Sequence, residues 1–211
     1  MKGKIKTISY QEAKEFLLPR HYSGRMPSVS YAFGWYIDGD IVAVCTFGKP
    51  ASNSLCVGIC GKEWSPNVYE LNRLCRIDEL EENISQFVSA CLRRLKSEDL
   101  IVVSYADSSM GHHGYVYQAS NFLYTGETKR RTDKWTPGGK HSRHYSNDEQ
   151  GKFRKVRSAK HRYVYFCTKN RYMKKKWKEL LSYEIQDYPK GENEMYQLGE
   201  YKKDEIVEVG K

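Results

Sequence analysis

Residues 100–126, LIVVSYADSSMGHHGYVYQASNFLYTG, constrain the fold of this chain more than any other stretch. Leu100, Ile101, Val102 and Val103 form an unbroken apolar run of β type, the pattern of a strand buried on both faces. Ser104-Tyr105-Ala106-Asp107 breaks the run, small residues follow at 108–111, and His112 and His113 stand side by side. Residues 114–122 read as a short helix and 122–124 as a second β-type run. A buried strand that delivers Asp, Ser, His and Tyr onto a loop and a helix start is where α/β folds usually keep their chemistry. The plain alternative is a strand-loop-helix with polar loop residues. The crowding of Asp107, His112, His113, Tyr115, Tyr117 and Asn121 favours a site.

The flanking sequence supplies a sheet around that strand. Ser9 and Glu12 form a capping box, and Ala13, Phe16 and Leu17 give the buried stripe of a helix that Pro19 stops. The loop RHYSGR at 20–25 fits either a site edge or a polar connector. Tyr31, Phe33, Trp35 and Ile37 alternate, Asp38-Gly39-Asp40 turns the chain, and residues 41–47 return as a hairpin. Residues 55–60 are a short apolar run, read as a strand. Residues 69–77 alternate, with Leu71, Arg73, Cys75 and Ile77 on one face. An arginine there is costly unless it meets an anion or an acid, and Glu70 or Asp107 would serve as a structural partner. Ile84, Phe87, Val88, Cys91, Leu92 and Leu95 fall at helical spacing, and Arg93, Arg94 and Lys96 suit the helix C-terminus. Residues 127–160 read as a long mobile loop, 161–167 as a strand, and 174–181 as a short helix. Beyond that, the acid-rich tail reads as poorly ordered. This order predicts a mixed α/β (α+β) fold with a mainly antiparallel central sheet flanked by helices. Residues 1–170, including the basic loop 127–160, form the expected domain, and residues 171–211 add a C-terminal helix and charged tail.

Charge narrows the choice of partner. The net charge is +9, yet residues 129–178 hold 18 Lys/Arg against 3 Asp/Glu, so the remainder is acidic. A basic block on an acidic body suits a surface that follows a polyanion, against the alternatives of a solvated charge run or an acidic protein partner. Trp135, Tyr145, Phe153, Tyr163, Tyr165, Tyr172 and Trp177 interleave the charges as candidates to stack on bases. Lys129, Arg130, Arg131, Lys134, Trp135, Lys140 and Arg143 form the expected DNA-binding set. No apolar run approaches the ~20 residues needed to cross a bilayer. The first residues show no signal-peptide core, so a cytoplasmic protein without a membrane partner is expected. The six cysteines include no C-x-x-C pair and read as buried, reduced thiols.

LNRLCRI at 71–77, an amphipathic helix, and then VVSYADSSMGHHGYVYQASNFLYTG at 102–126 together resemble the phage Mom proteins. These are DNA adenine-modifying enzymes related to the GCN5-related N-acetyltransferase fold. The most specific part is Ala106-Asp107 followed by Gly-His-x-Gly-x-x-Tyr-Gln-Ala-x-Asn-Phe-x-Tyr-x-Gly. The resemblance implies an acetyltransferase-like domain with a basic C-terminal extension. It also implies a transferase that converts adenine N6 in double-stranded DNA to a carbamoylmethyl group, protecting phage DNA from host restriction. By the same resemblance, His21, Tyr22, Asp107 and Tyr117 are catalytic, and Arg73 and Ser85 bind the small-molecule donor. His113 and Asn121, in the same motif, join them on chemical grounds, the first as catalytic and the second as donor-binding. An iron requirement is implied too, with His21, Tyr36 and Tyr117 as available ligands at a spacing that defines no site. The donor would be an acyl or glycyl-type molecule, acetyl-coenzyme A among the candidates. In one departure, DELEEN at 78–83 replaces the acetyltransferase phosphate loop. Four acids before a helix N-terminus repel a pyrophosphate.

In that chemistry Asp107 or His113 takes the N6 proton, Arg73 holds the donor or keeps Asp107 ionised, and Tyr117 protonates a leaving group. Two other readings fit part of the sequence. A phage nucleic-acid-binding protein without chemistry leaves the convergence of Asp107, His113 and Tyr117 unexplained. A plain acetyl-coenzyme A-dependent N-acetyltransferase is opposed by the acidic run and the basic block.

Overall fold

A computed structural model describes residues 2–135, 153–192 and 205–208. In chain order the elements are β1 (Lys4–Thr7), α1 (Tyr10–Arg20), β2 (Tyr31–Ile37), β3 (Asp40–Gly48), α2 (Asn53–Cys60), β4 (Val68–Arg76) and α3 (Ile84–Leu95). They continue with β5 (Leu100–Asp107), α4 (Tyr115–Ala119), β6 (Leu123–Glu127), β7 (Arg131–Trp135), β8 (Phe153–Arg157), β9 (Lys160–Cys167), α5 (Arg171–Leu180) and β10 (Ile206–Glu208). Seven strands form one sheet in the order β1-β2-β3-β4-β5-β9-β6, and β10-β8-β7 form a second. The β4–β5 pair is parallel and the other described pairs are antiparallel. The mixed fold expected from the sequence, a mainly antiparallel sheet with helices on its faces, is the fold observed.

The apolar run at 100–103 explains why β5 is central. Its four residues are at most 3% exposed. Leu100 and Val102 face a core built with α3, where Phe87, Val88, Cys91, Leu92 and Leu95 meet Trp35 and Phe47. Ile101 and Val103 face the opposite core, where α2 brings Cys56, Ile59 and Cys60 and α5 brings Trp177. The Asp-Gly turn sets the hairpin: Asp38 and Gly39 both take positive φ, 50° and 99°, as a tight two-residue connection requires. The Ser9–Glu12 capping box is present in both directions.

One interruption in the sheet matters for function. β4 and β5 pair only through Val68–Ile101, Tyr69–Val102 and Glu70–Val103. Beyond Glu70, β4 stays with β3 as far as Arg76, while β5 stays with β9 as far as Asp107. The two strands therefore part, and the hydroxyl of Ser104 donates to the carbonyl of Leu71 at 3.0 Å near the point of parting.

Several expectations are corrected. Residues 55–60 belong to helix α2, which Ser52 caps by accepting from Leu55 N–H and Gly61 ends at φ 90°. A six-residue apolar run has no period that separates strand from buried helix. Pro19 lies inside the last turn of α1 rather than ending it. Residues 127–160 are not one loop: β7 and β8 pair from Arg131–Arg157 to Trp135–Phe153, and Arg157 Nε donates to Asp133 at 2.7 Å. Residues 181–192 are laid along the body rather than loose. Ser182 N–H bonds the Ile59 carbonyl at 2.9 Å, Gln186 N–H that of Tyr124 at 3.0 Å, and Tyr188 hydroxyl that of Phe122 at 2.7 Å. Trp177 and Tyr163 are core residues at 0% exposure, so neither reaches a base. All six cysteines are free; five are buried and Cys75 is half-buried. Among the described residues, no helix is long and apolar enough to cross a membrane.

Trp177 packs on Trp64 and Phe166 with ring centroids at 5.5 and 6.0 Å. Trp177→Ala is expected to cost about 3–5 kcal/mol, the range for emptying a buried aromatic site. Urea unfolding measures it. Duplex affinity per folded molecule should stay unchanged.

Candidate active site

The parting of β4 and β5 opens a cleft of about 450 Å³. Its walls are residues 70–76 of β4, Tyr105 and Ala106 of β5, residues 114–117 at the start of α4, and Arg20, His21 and Tyr22 after α1. His112 and Lys160 also line it. Gly114 permits this wall. It takes φ +75°, and a Cβ there would lie 2.5 Å from the Tyr163 ring, a conformation and a closeness that only glycine tolerates.

His21 is the C-cap of α1, and its backbone N–H closes onto Leu17. Its Nδ1 accepts the backbone N–H of Ser23 at 3.1 Å, and its ring stacks on Tyr22 with centroids 4.4 Å apart. Burial holds the imidazole pKa down to about 3, with Arg73 and His112 acting in the same direction. Burial also pushes the Tyr22 phenol up, and Asp107 adds to that. Arg73 ties β4 to the same loop, donating to the carbonyls of Asn72 at 2.6 Å and Arg25 at 3.1 Å. Its hydrogen bonds thus go to carbonyls rather than to Glu70 or Asp107, and its Nε is buried without a hydrogen-bond partner. Tyr117 is 9% exposed, packed against Phe122 and Tyr163, and burial pushes its phenol well up.

Asp107 is heavily engaged. One carboxylate oxygen accepts from Ser109 N–H at 3.1 Å and from the hydroxyls of Ser109 and Ser158 at 2.7 and 2.6 Å. The other pairs with Lys160 at 3.0 Å. Burial raises its carboxyl, but the bonds from Ser158 and Ser109 and the Lys160 charge bring it below its ordinary value. Asp107 therefore anchors the loop after β5 and holds Lys160, which lines the cleft.

Two cleft residues carry no catalytic or binding role in the sequence reading. Glu70 sits where the parallel pairing ends; burial pushes its carboxyl up, partly offset by Lys160 and Arg73. The available signal was an acid inside an otherwise apolar strand, read only as a partner for Arg73. His112 lines the cleft, whereas its neighbour His113 does not share that wall. The His113 ring lies 5.6 Å from His161 and beside Gly191, and its carbonyl accepts from Tyr163 hydroxyl at 2.5 Å. The sequence offers no way to choose between adjacent histidines on a loop.

Asn121 is also displaced from the expected role. It is exposed and takes φ 61°, a left-handed position after α4, and it lines neither depression. Ser85, in the first turn of α3, gives both its N–H and its hydroxyl to Asn83 Oδ1, at 3.0 and 2.7 Å. It lines a second depression with Gln86, Ser89, Arg93 and Ala119. Lys129 and Arg130 lead into β7, which carries Arg131, Lys134 and Trp135; Lys140 and Arg143 lie outside the described residues. The basic β7–β8 pair springs from the end of β9 at which Lys160 meets Asp107.

The expected iron ligands do not assemble. Tyr36 sits on β2, with Lys6 Nζ 4.5 Å from its ring centre and Glu12 nearby. It is not part of the cleft. A ligating histidine ordinarily donates its second ring N–H to an acceptor. His21 does the reverse, since its Nδ1 accepts. No group of three His, Cys, Asp or Glu suited to a metal occurs among the described residues. The residues present do not fit the iron that the resemblance implied.

Fold and site together define an α/β protein with a cleft at a split in its sheet. The chain belongs to the Mom protein family, whose model matches residues 2–190. It is 31% identical over 128 residues to the methylcarbamoylase Mom of Escherichia phage Mu. That match takes in 58% of this chain and 53% of the Mu protein, about half the length of that relative. Among solved structures, similar chains include a Bacillus subtilis acetyltransferase in complex with CoA, at TM-score 0.46 and 14% identity, covering 78% of this chain and 99% of that one. A Drosophila melanogaster polyamine N-acetyltransferase matches at TM-score 0.47 and 12% identity, covering 77% and 99%.

Because its folded pKa is depressed, Asp107 contributes stability that is present above its ordinary value near 3.8 and is lost as pH falls through the folded value. Asp107→Asn should be less stable by about 2 kcal/mol at pH 7, as expected for hydrogen bonds to a charged group. The gap to wild type should narrow below about pH 4. Denaturant melts across pH 3–7 measure both.

Proposed function

We propose that this protein is a transferase that modifies the N6 amine of adenine in double-stranded DNA. Membership of the Mom family and the methylcarbamoylase activity named for the phage Mu relative support an N6-carbamoylmethyl product and a role in protecting phage DNA from host restriction. The observation that carries the reading is the joining of two features. A cleft holding a half-buried carboxylate, Glu70, lies next to a cationic strand pair.

The donor lies along the parted strands. Past Glu70, the edge of β4 that faces away from β3 has lost its strand partner. An amide-bearing chain can add to such an edge by main-chain hydrogen bonds. Coenzyme A held in the usual acetyltransferase manner is disfavoured. Asn83 already occupies an amide at the α3 N-terminus, and the acids at 78–82 repel a pyrophosphate.

The acceptor base leaves the duplex, because N6 is otherwise held in a base pair. Arg131, Lys134, Arg154 and Lys160 contact phosphates and Trp135 offers a stacking face. In the transfer, N6 forms a bond to the donor's methylene carbon as the bond from that carbon to its leaving group breaks. The N6 proton passes to Glu70, whose burial raises its affinity for a proton above that of an ordinary carboxylate. Asp107 holds Lys160 and the loop in place. Tyr117 and Tyr22, both with raised phenol values, are protonated and able to donate to the leaving group.

Mass spectrometry of nucleosides from a host expressing this chain tests the reading. A new adenosine mass, absent with Glu70→Gln, is expected; DNA of unchanged composition would overturn the proposal. Lys134→Ala with Arg154→Ala should weaken duplex binding evenly across sequences and lower the slope of log K against log salt by about 2, or about 1 per phosphate contact. Titrations at several salt concentrations measure it.

A further inference from the structure

We infer that His21 serves in this cleft as a neutral imidazole that donates a hydrogen bond from Nε2 to the donor's carbonyl oxygen. The inference rests on the transferase reading for its substrate and on the protein alone for its protonation state. A backbone N–H can only donate. The N–H of Ser23 lies 3.1 Å from His21 Nδ1, so Nδ1 presents a lone pair, and the one proton of the neutral ring is on Nε2. The Ser23 hydroxyl stands 3.0 Å from the same nitrogen and bonds on to the Arg25 carbonyl at 3.4 Å. Ring orientation is held by the stack on Tyr22 and by the backbone closure of α1 onto Leu17.

The charged and titratable groups around the ring oppose a second proton. Arg73 faces it from β4, His112 from the loop after β5, and Tyr22 from its own loop; Arg25 and Glu70 act on Arg73 in turn. Burial of the ring acts in the same direction as Arg73 and His112. His21 therefore stays uncharged through the range in which an ordinary histidine titrates.

Arg73 lines the cleft beside His21 and adds its positive charge there, its NH groups held by the carbonyls of Asn72 and Arg25. Glu70 lies in the same cleft as a carboxylate able to accept a proton. A cleft divided in this way accepts an oxygen on one side and gives up a proton on the other. A carbonyl beside the carbon under attack gathers negative charge as the reaction proceeds, and fixed donors aimed at such an oxygen accelerate transfer. A neutral imidazole does this without the desolvation cost of a cation.

The test uses the full chain as wild type, His21→Gln and His21→Ala, together with long-range proton–nitrogen NMR of the labelled wild type from pH 5 to 8. The spectrum is expected to show His21 protonated at Nε2 alone throughout. Glutamine keeps an N–H near the Nε2 position, so His21→Gln should hold adenine modification within about tenfold, while His21→Ala should lose about 10²–10³-fold, the loss for one such donor. A His21 signal that titrates between pH 5 and 8, a proton on Nδ1, or His21→Gln as inactive as His21→Ala would overturn the inference. Wild type that leaves DNA unmodified would defeat the transferase reading and the donor role with it. The spectrum, recorded without substrate, reports the protonation state in either case.

Discussion

Everything in this cleft depends on where the one parallel pairing stops. Three residue pairs hold β4 to β5, and then each strand follows a different antiparallel neighbour. β9 keeps β5 in register through Asp107, and β3 keeps β4 through Arg76 with one bulge between Thr46 and Phe47, beside the point where the strands part. The gap is therefore a consequence of strong pairing on both sides rather than of a weak centre. A sheet split this way exposes backbone polar groups in a protein interior, and such groups need partners. Ser104 meets one of them, the Leu71 carbonyl, at the start of the gap, and the rest of that β4 edge lines the cleft.

The gap also explains which polar side chains line the cleft. Glu70 marks the last parallel pair and Arg73 the wall just beyond it. Both would be buried at high cost in a closed sheet, since a charged group without a partner is poorly tolerated there. In the cleft they are half-buried, near enough to feel one another and Lys160. The loop from α1 closes the remaining side through the bond from Arg73 to the Arg25 carbonyl, which holds the loop that carries His21 and Tyr22. On the other side, Asp107 spends its acceptors on Ser109, Ser158 and Lys160. A carboxylate so fully bonded is a structural anchor, whereas burial raises the carboxyl of Glu70 above its ordinary value.

Much of this fold was legible because local signals were strong. The Asp-Gly hairpin, the Ser9 capping box, the α3 stripe and the doubly apolar β5 each carry their period or turn chemistry within a few residues. β1 was not legible, since Lys-Ile-Lys-Thr has too few apolar positions to show an alternation. α2 was misread because its run is shorter than the window over which helix and strand differ. At the site, residue types were readable but directions were not. Tyr117, Arg73, His21 and Tyr22 line one cleft and Asp107 holds its Lys160 from behind, yet Tyr36 faces Lys6, Asn121 ends a turn and His113 lies beside His161. Tyr36 follows a register shift in the β2–β3 pairing after Trp35, and Asn121 takes a left-handed φ of 61°, neither of which sequence spacing encodes.

The two rims of the large sheet are finished in different ways. β1 carries Lys4 and Lys6, and charged side chains on a border strand discourage a second molecule from adding to it. β6 has no such protection in its own sequence, Leu-Tyr-Thr-Gly-Glu. Its Tyr124 carbonyl is instead occupied by Gln186, while Tyr188 covers the preceding Phe122. The segment after α5 is thus a guard against self-association. A shorter chain ending at α5 would keep its interior yet present an open, sticky border to its own copies.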